Sequence, residues 1–554
     1  MTPPAKVTVF RDGHIFCADP QLPRARAVAI EGDTIVAVGD DDAIAPFLTR
    51  ADEVISLDDR LLVPGFIDAH VHPIRAGLER LRCDVLSGVD LSSYQRIIRE
   101  YARAHPERDW IIGGGWAPDK FPREGPRREH LDAIVPDRPV CLPDQGHHSM
   151  WVNSFALRLA GIDKHTADPI DGRIDRDIDG RPTGLLHEGA GKLVERLIPS
   201  ETDADYEAAL SEAQQYLHSY GIVGWQDAMV LRPGAGAASH DTYLRADRLG
   251  KLTAKVVGAL WWERDCPQDA IPDRVAELAQ ARDEAARGGG RYSAGTVKIM
   301  LDGVVETGTA SLLEPYRDAC SHNSTRAGLS FIDPEILRAV VTELDRAGFQ
   351  AHFHALGDRA VRDALDAIEA AQAVNGTGDR RHQIAHLQLI APADVKRFNS
   401  LGVIANLQAL WGKHDPADDE LVVSHLGEER AAAQFPHGSL ARSGARLAMG
   451  SDWPVSSVDP FAAIHTAVTR TAYGDTADTP PLGYDQELTL ATAINAYTAG
   501  SAWANHDSEG GRIRVGNRAD LVVLDRDPFE FQVHEIGSTR VERTVVSGTT
   551  VFEQ

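Results

Sequence analysis

The sequence predicts an α/β protein: a (β/α)8 barrel with an insertion at its mouth and a small discontinuous β-sandwich made from both chain ends. Three observations predict it. Strand-like apolar runs alternate with amphipathic helices through the middle of the 554-residue chain. Both termini instead carry short β-branched runs separated by Gly, Asp and Pro turns. Between about 75 and 200 the alternation breaks in a stretch rich in Gly, Pro and Arg.

Taken in order, KVTVF, AVAI, TIVAVG and EVISL open the chain, and ADLVVLD and VERTVVSGTTVFE close it. Neither set has enough strands to bury a face alone, and isolated hairpins are marginal in water. Residues 1–63 and 506–554 are therefore expected to form one sandwich. Residues 64–505 hold the barrel. There IVGWQDA follows the helical YEAALSEAQQYLHSYG, and TVKIML, FQAHFHA, RHQIAHL, GVIANLQ and ARLAMGSD come after it. PEILRAVVTELDRAG and DRAVRDALDAIEAAQ separate some of these runs with apolar residues at i, i+3 and i+4. Such alternation implies parallel strands joined by crossover helices. A barrel of this kind needs ~250 residues, so the surplus around GGGWAPDKFPREGPRREH is read as an insertion capping the mouth.

Composition removes several classes of function. Lys and Arg number 57 against 82 Asp and Glu, a formal net charge of −25. That balance repels nucleic acid and anionic membrane surfaces, which select clustered basic residues. No apolar run approaches the ~20 residues that cross a bilayer, and the first residues lack the pattern of a signal peptide. The five cysteines form no C-x-x-C pair, which argues against a disulfide framework or a thiolate zinc site. A reduced, cytoplasmic protein acting on a small molecule is expected.

The sharpest local signal is PGFIDAHVHP, in which His70 and His72 end an apolar run. Residues two apart on a strand project to one side, and neutral imidazole is a good ligand for zinc and similar metals. Among 22 histidines such a pair is weak alone, and His352 and His354 make a second. Context strengthens it. His354, His386 and Asp452 also end strand-like runs, and Lys298 sits within TVKIMLDG. The C-terminal strand ends of a (β/α)8 barrel surround its active site, so five strands would bring this set to one mouth.

With those residues placed, the sequence resembles the amidohydrolase superfamily, and within it the amidohydrolase-3 group of YtcJ-like and N-substituted formamide deformylase-like proteins. PGFIDAHVHP, HHSMWVNSFAL, GRPTGLLHEGA, VKIMLDGVVETGTASLLEPY, HFHALGDRAVRDALDAIE, RHQIAHLQ, GSDWPV and ADLVVLD carry the resemblance, in the family's order. It implies a distorted TIM barrel with a flanking sandwich, one or two divalent metals (usually zinc), and by family habit a homodimer. It also implies metal ligands at His70 and His72 on the first strand, His354 and His386 on the fifth and sixth, and Asp452 on the eighth. Lys298 matches the fourth-strand lysine, which in related members can be carboxylated. A carbamate there could bridge two cations; the alternative is an ammonium paired with Asp302 or Asp452. His148 matches a family position and would hydrogen-bond a substrate carbonyl, unless it packs beside Trp151. His147 and Glu188 are weaker candidates, and Asp358 reads as a helix N-cap. The stretch DGVVETGTASL departs from the Gly-Ser-rich form of many members, which bears on substrate choice.

The implied chemistry is metal-assisted hydrolysis of a non-peptide C–N bond in an amide, N-acyl or N-formyl amine. Asp452 would act as general base and then return the proton to the leaving nitrogen; the alternative is that it only caps the following helix. A decarboxylase, isomerase or hydratase could reuse such a site, as could an inactive binding protein. Release of carbon dioxide without amine would mark the first group, and absence of metal the last.

Overall fold

The computed structural model describes residues 5–122, 125–145, 149–169, 172–231, 239–317, 325–476 and 478–554. It divides into two compact units, residues 1–72 with 214–554, and residues 73–213.

The first unit holds eight parallel strands in one sheet, met in chain order around a barrel: β1 (Phe66–Val71), β2 (Ile222–Val230), β3 (Lys255–Trp261), β4 (Tyr292–Met300), β5 (Gln350–Ala355), β6 (Gln383–His386), β7 (Ile404–Leu407) and β8 (Arg446–Met449). The predicted (β/α)8 barrel is present. All six residues of β1 are buried, as expected of barrel strands covered on both faces. The ring nearly closes: Asp452 donates its N–H to the His70 carbonyl at 2.7 Å, and His72 donates to the Trp453 carbonyl at 2.9 Å. Register then sets which side chains meet, with Lys298 opposite His352, Met300 opposite His354, and Ala355 opposite His386.

The crossover helices form for local reasons. Pro334–Arg346 starts with Pro at its first position, and Asp333 accepts the N–H groups of Glu335 and Ile336. Both features favour a helix start. Asp358–Asn375 buries Val361, Ala364, Leu365 and Ile368 along one stripe, the 3.6-residue period of an amphipathic helix.

The chain ends make two further sheets in the same unit. One runs Thr34–Gly39, Ala27–Glu31, Val7–Arg11, Glu53–Ser56. The other unites both termini, because Leu61–Pro64 pairs antiparallel with Leu521–Leu524, placing Pro64 opposite Leu521. Phe10, Ile15, Val28, Leu62, Leu521, Val523 and Val545 share one core.

The second unit has a mixed six-stranded sheet of its own, in the order Gly172–Arg176, Pro182–Glu188, Ser149–Val152, Val140–Pro143, Ile111–Gly114, Cys83–Asp84. Tyr94, Ile98, Trp116, Leu142 and Trp151 form its core. The Gly- and Pro-rich text hides these strands because they are short and broken by turns. Among the described residues, no helix is long and apolar enough to cross a membrane.

Candidate metal centre

The first strand delivers the first two imidazoles. Asp68, two residues before His70, sends its Oδ1 to the backbone N–H groups of His70 (3.1 Å) and Ser451 (3.0 Å), tying β1 to the turn after β8. Gly450 permits that closeness: a Cβ there would lie 2.5 Å from the His70 nitrogen. The turn carries Asp452 three residues beyond the end of β8, with φ of 56°. His386, at the end of β6, is also left-handed, with φ of 78°. Such backbone costs of order 1–3 kcal/mol for a non-glycine residue and collects at functional sites.

These elements converge. Asp452 Oδ1 lies 3.0 Å from His72 Nε2 and 3.5 Å from His70 Nε2. Lys298 Nζ is 3.3 Å from His70 Nε2. The His386 ring centroid is 4.7 Å from that of His70 and 4.4 Å from that of His354. One ligand atom each from His70, His386 and Asp452 fall within 4.8 Å of one another. Trp411 stacks on His386 at 5.2 Å, nearly parallel.

Among the described residues, His354 Nε2, His386 Nδ1, Asp452 Oδ1 and Asp68 Oδ2 are buried here without a hydrogen-bond partner. Leaving buried polar atoms unpaired costs about 1–3 kcal/mol each. A divalent cation among imidazole nitrogens and a carboxylate would satisfy the first three, so the donor set fits a metal of the zinc type. Electrostatics agree. Burial first, then Lys298 and neighbouring rings, hold His70, His354 and His386 well below the usual histidine range. Their lone pairs are therefore free at neutral pH. Burial pulls Lys298 down to about 8, against the opposing pull of Asp452 and Asp227.

Several expectations meet corrections. Asp302 does not pair with Lys298. Its carboxylate accepts the N–H groups of Ser311, Leu356 and Gly357 at 2.8–3.0 Å, clamping the loop after β4 to the end of β5. Asp452 is no helix cap, since Asp459 caps the next helix, Pro460–Thr469. Nor is Asp358 an N-cap: Gly357 holds that position and Asp358 accepts the Leu313 N–H at 2.8 Å. Glu188 lies exposed at the end of Pro182–Glu188 in the second unit. His147 and His148 lie outside the described residues. Sequence reasoning missed Asp68 and Trp411; Asp68 could have been found by extending the period-2 argument one step back from His70.

The family model described as "Amidohydrolase family" matches residues 53–552. The chain belongs to this family. Three relatives match it over nearly its whole length. Protein LONG AFTER FAR-RED 3 of Arabidopsis thaliana is 31% identical, covering 100% of this chain and 93% of its own. Putative amidohydrolase YtcJ of Bacillus subtilis is 30% identical over 99% of both chains. The N-substituted formamide deformylase of Arthrobacter pascens is 28% identical over 98% of both. Among solved structures, an uncharacterized metal-dependent hydrolase from Pyrococcus furiosus superposes with a TM-score of 0.73 at 25% identity, over 94% of this chain and 99% of that one. As an amidohydrolase the chain is an enzyme of the hydrolase type.

Proposed function

We propose that this amidohydrolase cleaves a non-peptide C–N bond in a small N-acyl or N-formyl amine, using one or two divalent ions, zinc foremost. The observation that carries the reading is the meeting of His354, His386 and Asp452 at one barrel mouth, with buried atoms that have no hydrogen-bond partner among the described residues. The whole-length likeness to a formamide deformylase supports the choice of bond. His70, His72, His354, His386 and Asp452 would hold the metal, with Lys298, as a carbamate, available to bridge two. Desolvation favours the neutral amine that carbamate formation requires. A bound cation would supply Lewis acidity and bring the pKa of a water toward ~7.

The chain's own residues do the rest. Asp452 Oδ1 accepts a proton from water and returns it to the departing nitrogen. The left-handed turn holds that carboxylate's Oδ1 against His72 Nε2 at 3.0 Å and His70 Nε2 at 3.5 Å. His386, backed by Trp411, keeps a fixed ring plane beside it. Lys298, when carboxylated, no longer opposes the neighbouring cation.

The test is amine release from a panel of N-formyl and N-acyl amines by zinc-, manganese- and iron-loaded protein. Turnover of an N-acyl amine that disappears with chelator supports the reading. Carbon dioxide release without amine, or no turnover of any panel member by metal-loaded protein, overturns it.

A further inference from the structure

We propose that His352, and the chain of side-chain amides beneath it, are positioning residues that fix His70 in the tautomer presenting a bare Nε2 to the metal centre. The inference rests on the metal-site reading and adds a role to residues outside the ligand set.

Donors and acceptors in this network are set from two fixed ends. At one end, Gln350 donates both protons of its amide nitrogen to backbone carbonyls, Arg381 at 2.6 Å and Ala504 at 2.8 Å. Carbonyls only accept, so the Gln350 orientation is set and its Oε1 is an acceptor, taking the Thr296 hydroxyl at 2.7 Å. Gln226 therefore donates its Nε2 to Gln350 Oε1 (3.2 Å), which makes Gln226 Oε1 an acceptor too.

The other end is a backbone N–H. His386 donates it to Gln408 Oε1 at 2.7 Å. Gln408 Nε2 then donates to Asn406 Oδ1 (3.0 Å), and Asn406 Nδ2 to Gln383 Oε1 (2.7 Å). Gln383 Nε2 donates to Gln226 Oε1 at 2.8 Å. Two independent routes thus reach the same atom with the same polarity.

His352 Nδ1 contacts that oxygen, so it must carry a proton. In a neutral ring its Nε2 is then the acceptor, and His70 Nδ1, 2.9 Å away, must donate to it. The proton on His70 is accounted for, and Nε2 is left bare. Lys298 agrees from the opposite side: its Nζ, a donor, faces His70 Nε2 at 3.3 Å, nearer than the acceptor Asp452 Oδ1 at 3.5 Å. His352, Gln226, Gln350, Gln383 and Asn406 are all essentially without solvent contact, so water cannot reverse the polarity. Which histidine nitrogen binds a metal is set by the hydrogen bond the other makes.

Two measurements test this. In metal-free wild-type protein with 15N-labelled histidine, two-bond proton–nitrogen correlation should find the His70 proton on Nδ1, the signal being assigned by its loss in His70→Ala. A proton on Nε2 overturns the proposal. In the second, Co2+ affinity is read by chelator competition. His352→Leu should weaken it ~10–100-fold, the usual effect of losing such a partner. His352→Gln should restore most of the loss, because an amide can accept from His70 and donate to Gln226. Unchanged Co2+ affinity in folded His352→Leu, or no rescue by Gln, overturns the role. Should His352→Leu fail to fold, the wild-type spectrum decides alone. A wild-type protein that binds no Co2+ would sink the metal reading, whereas the tautomer measurement does not depend on it.

Discussion

The barrel interior has two polar layers, both largely out of solvent and differently finished. In the lower one, each side-chain oxygen and nitrogen of Gln226, Gln350, Gln383 and Asn406 is hydrogen-bonded to another amide, a ring or a backbone carbonyl. In the upper one, among the described residues, His354 Nε2, His386 Nδ1 and Asp452 Oδ1 have no hydrogen-bond partner, only ion-pair neighbours such as His72 beside Asp452. A closed network rigidifies a fold, while an open one is a standing cost unless something else completes it. The contrast separates scaffold from site more cleanly than burial does.

The largest effect that would break the comparison concerns the upper layer. His70→Ala combined with His72→Ala should abolish metal binding, measured as ions per chain after reconstitution. Full occupancy in that double variant would show the layer is not the metal site. Next comes Asp452→Asn, which keeps the shape but cannot take a proton. Its kcat on an accepted N-acyl amine should fall by ~10²–10⁴, with metal content little changed. Near-native kcat would remove the proposed base.

Stability distinguishes the layers directly. In metal-free protein, Gln350→Leu should cost about 2–5 kcal/mol in denaturant unfolding, since it strands amide and carbonyl partners at about 1–3 kcal/mol each. His386→Leu should cost under about 1 kcal/mol or stabilise, because it strands no partner of Nδ1. Equal losses at the two positions would erase the distinction.

Acid gives the smallest and most graded effect. Burial holds His70, His352, His354 and His386 well below the unfolded histidine value of 6.5, and brings His218 to about 4. Below pH 6.5 the unfolded chain binds protons that the folded one refuses, so the stability of metal-free protein falls as pH drops. Asp68 and Asp302, raised by burial to about 7, oppose this because their folded forms take up protons first. Burial raises Asp227, Asp358, Asp363, Asp459 and Asp520 too. With His187, His437, His465 and His506 also held low, the histidines still outnumber the raised aspartates among the described residues, and the lower amides do not titrate. Denaturant midpoints that rise between pH 6.5 and 5 would show that the upper layer is not held neutral.

Much of the site is legible in the sequence, because barrel strands follow chain order and their ends face one mouth. The period of two in His70-x-His72, and polar residues closing the apolar runs at His354, His386 and Asp452, are local patterns that survive folding unchanged. Asp302, Asp358 and His352 were not legible. Their partners lie far along the chain, and a carboxylate that clamps three backbone amides looks in sequence like one that pairs with lysine.

By itself, then, the sequence determined the barrel and the family, since periodicity and strand order are written in neighbouring residues. Only the tertiary structure decided which atoms are left without partners and which are tied down. His352 meets His70 across 282 residues, and Lys298 meets it across 228. A hydrogen bond's polarity depends on every link back to a backbone group that can only donate or only accept, and those links exist only once six strands have come together.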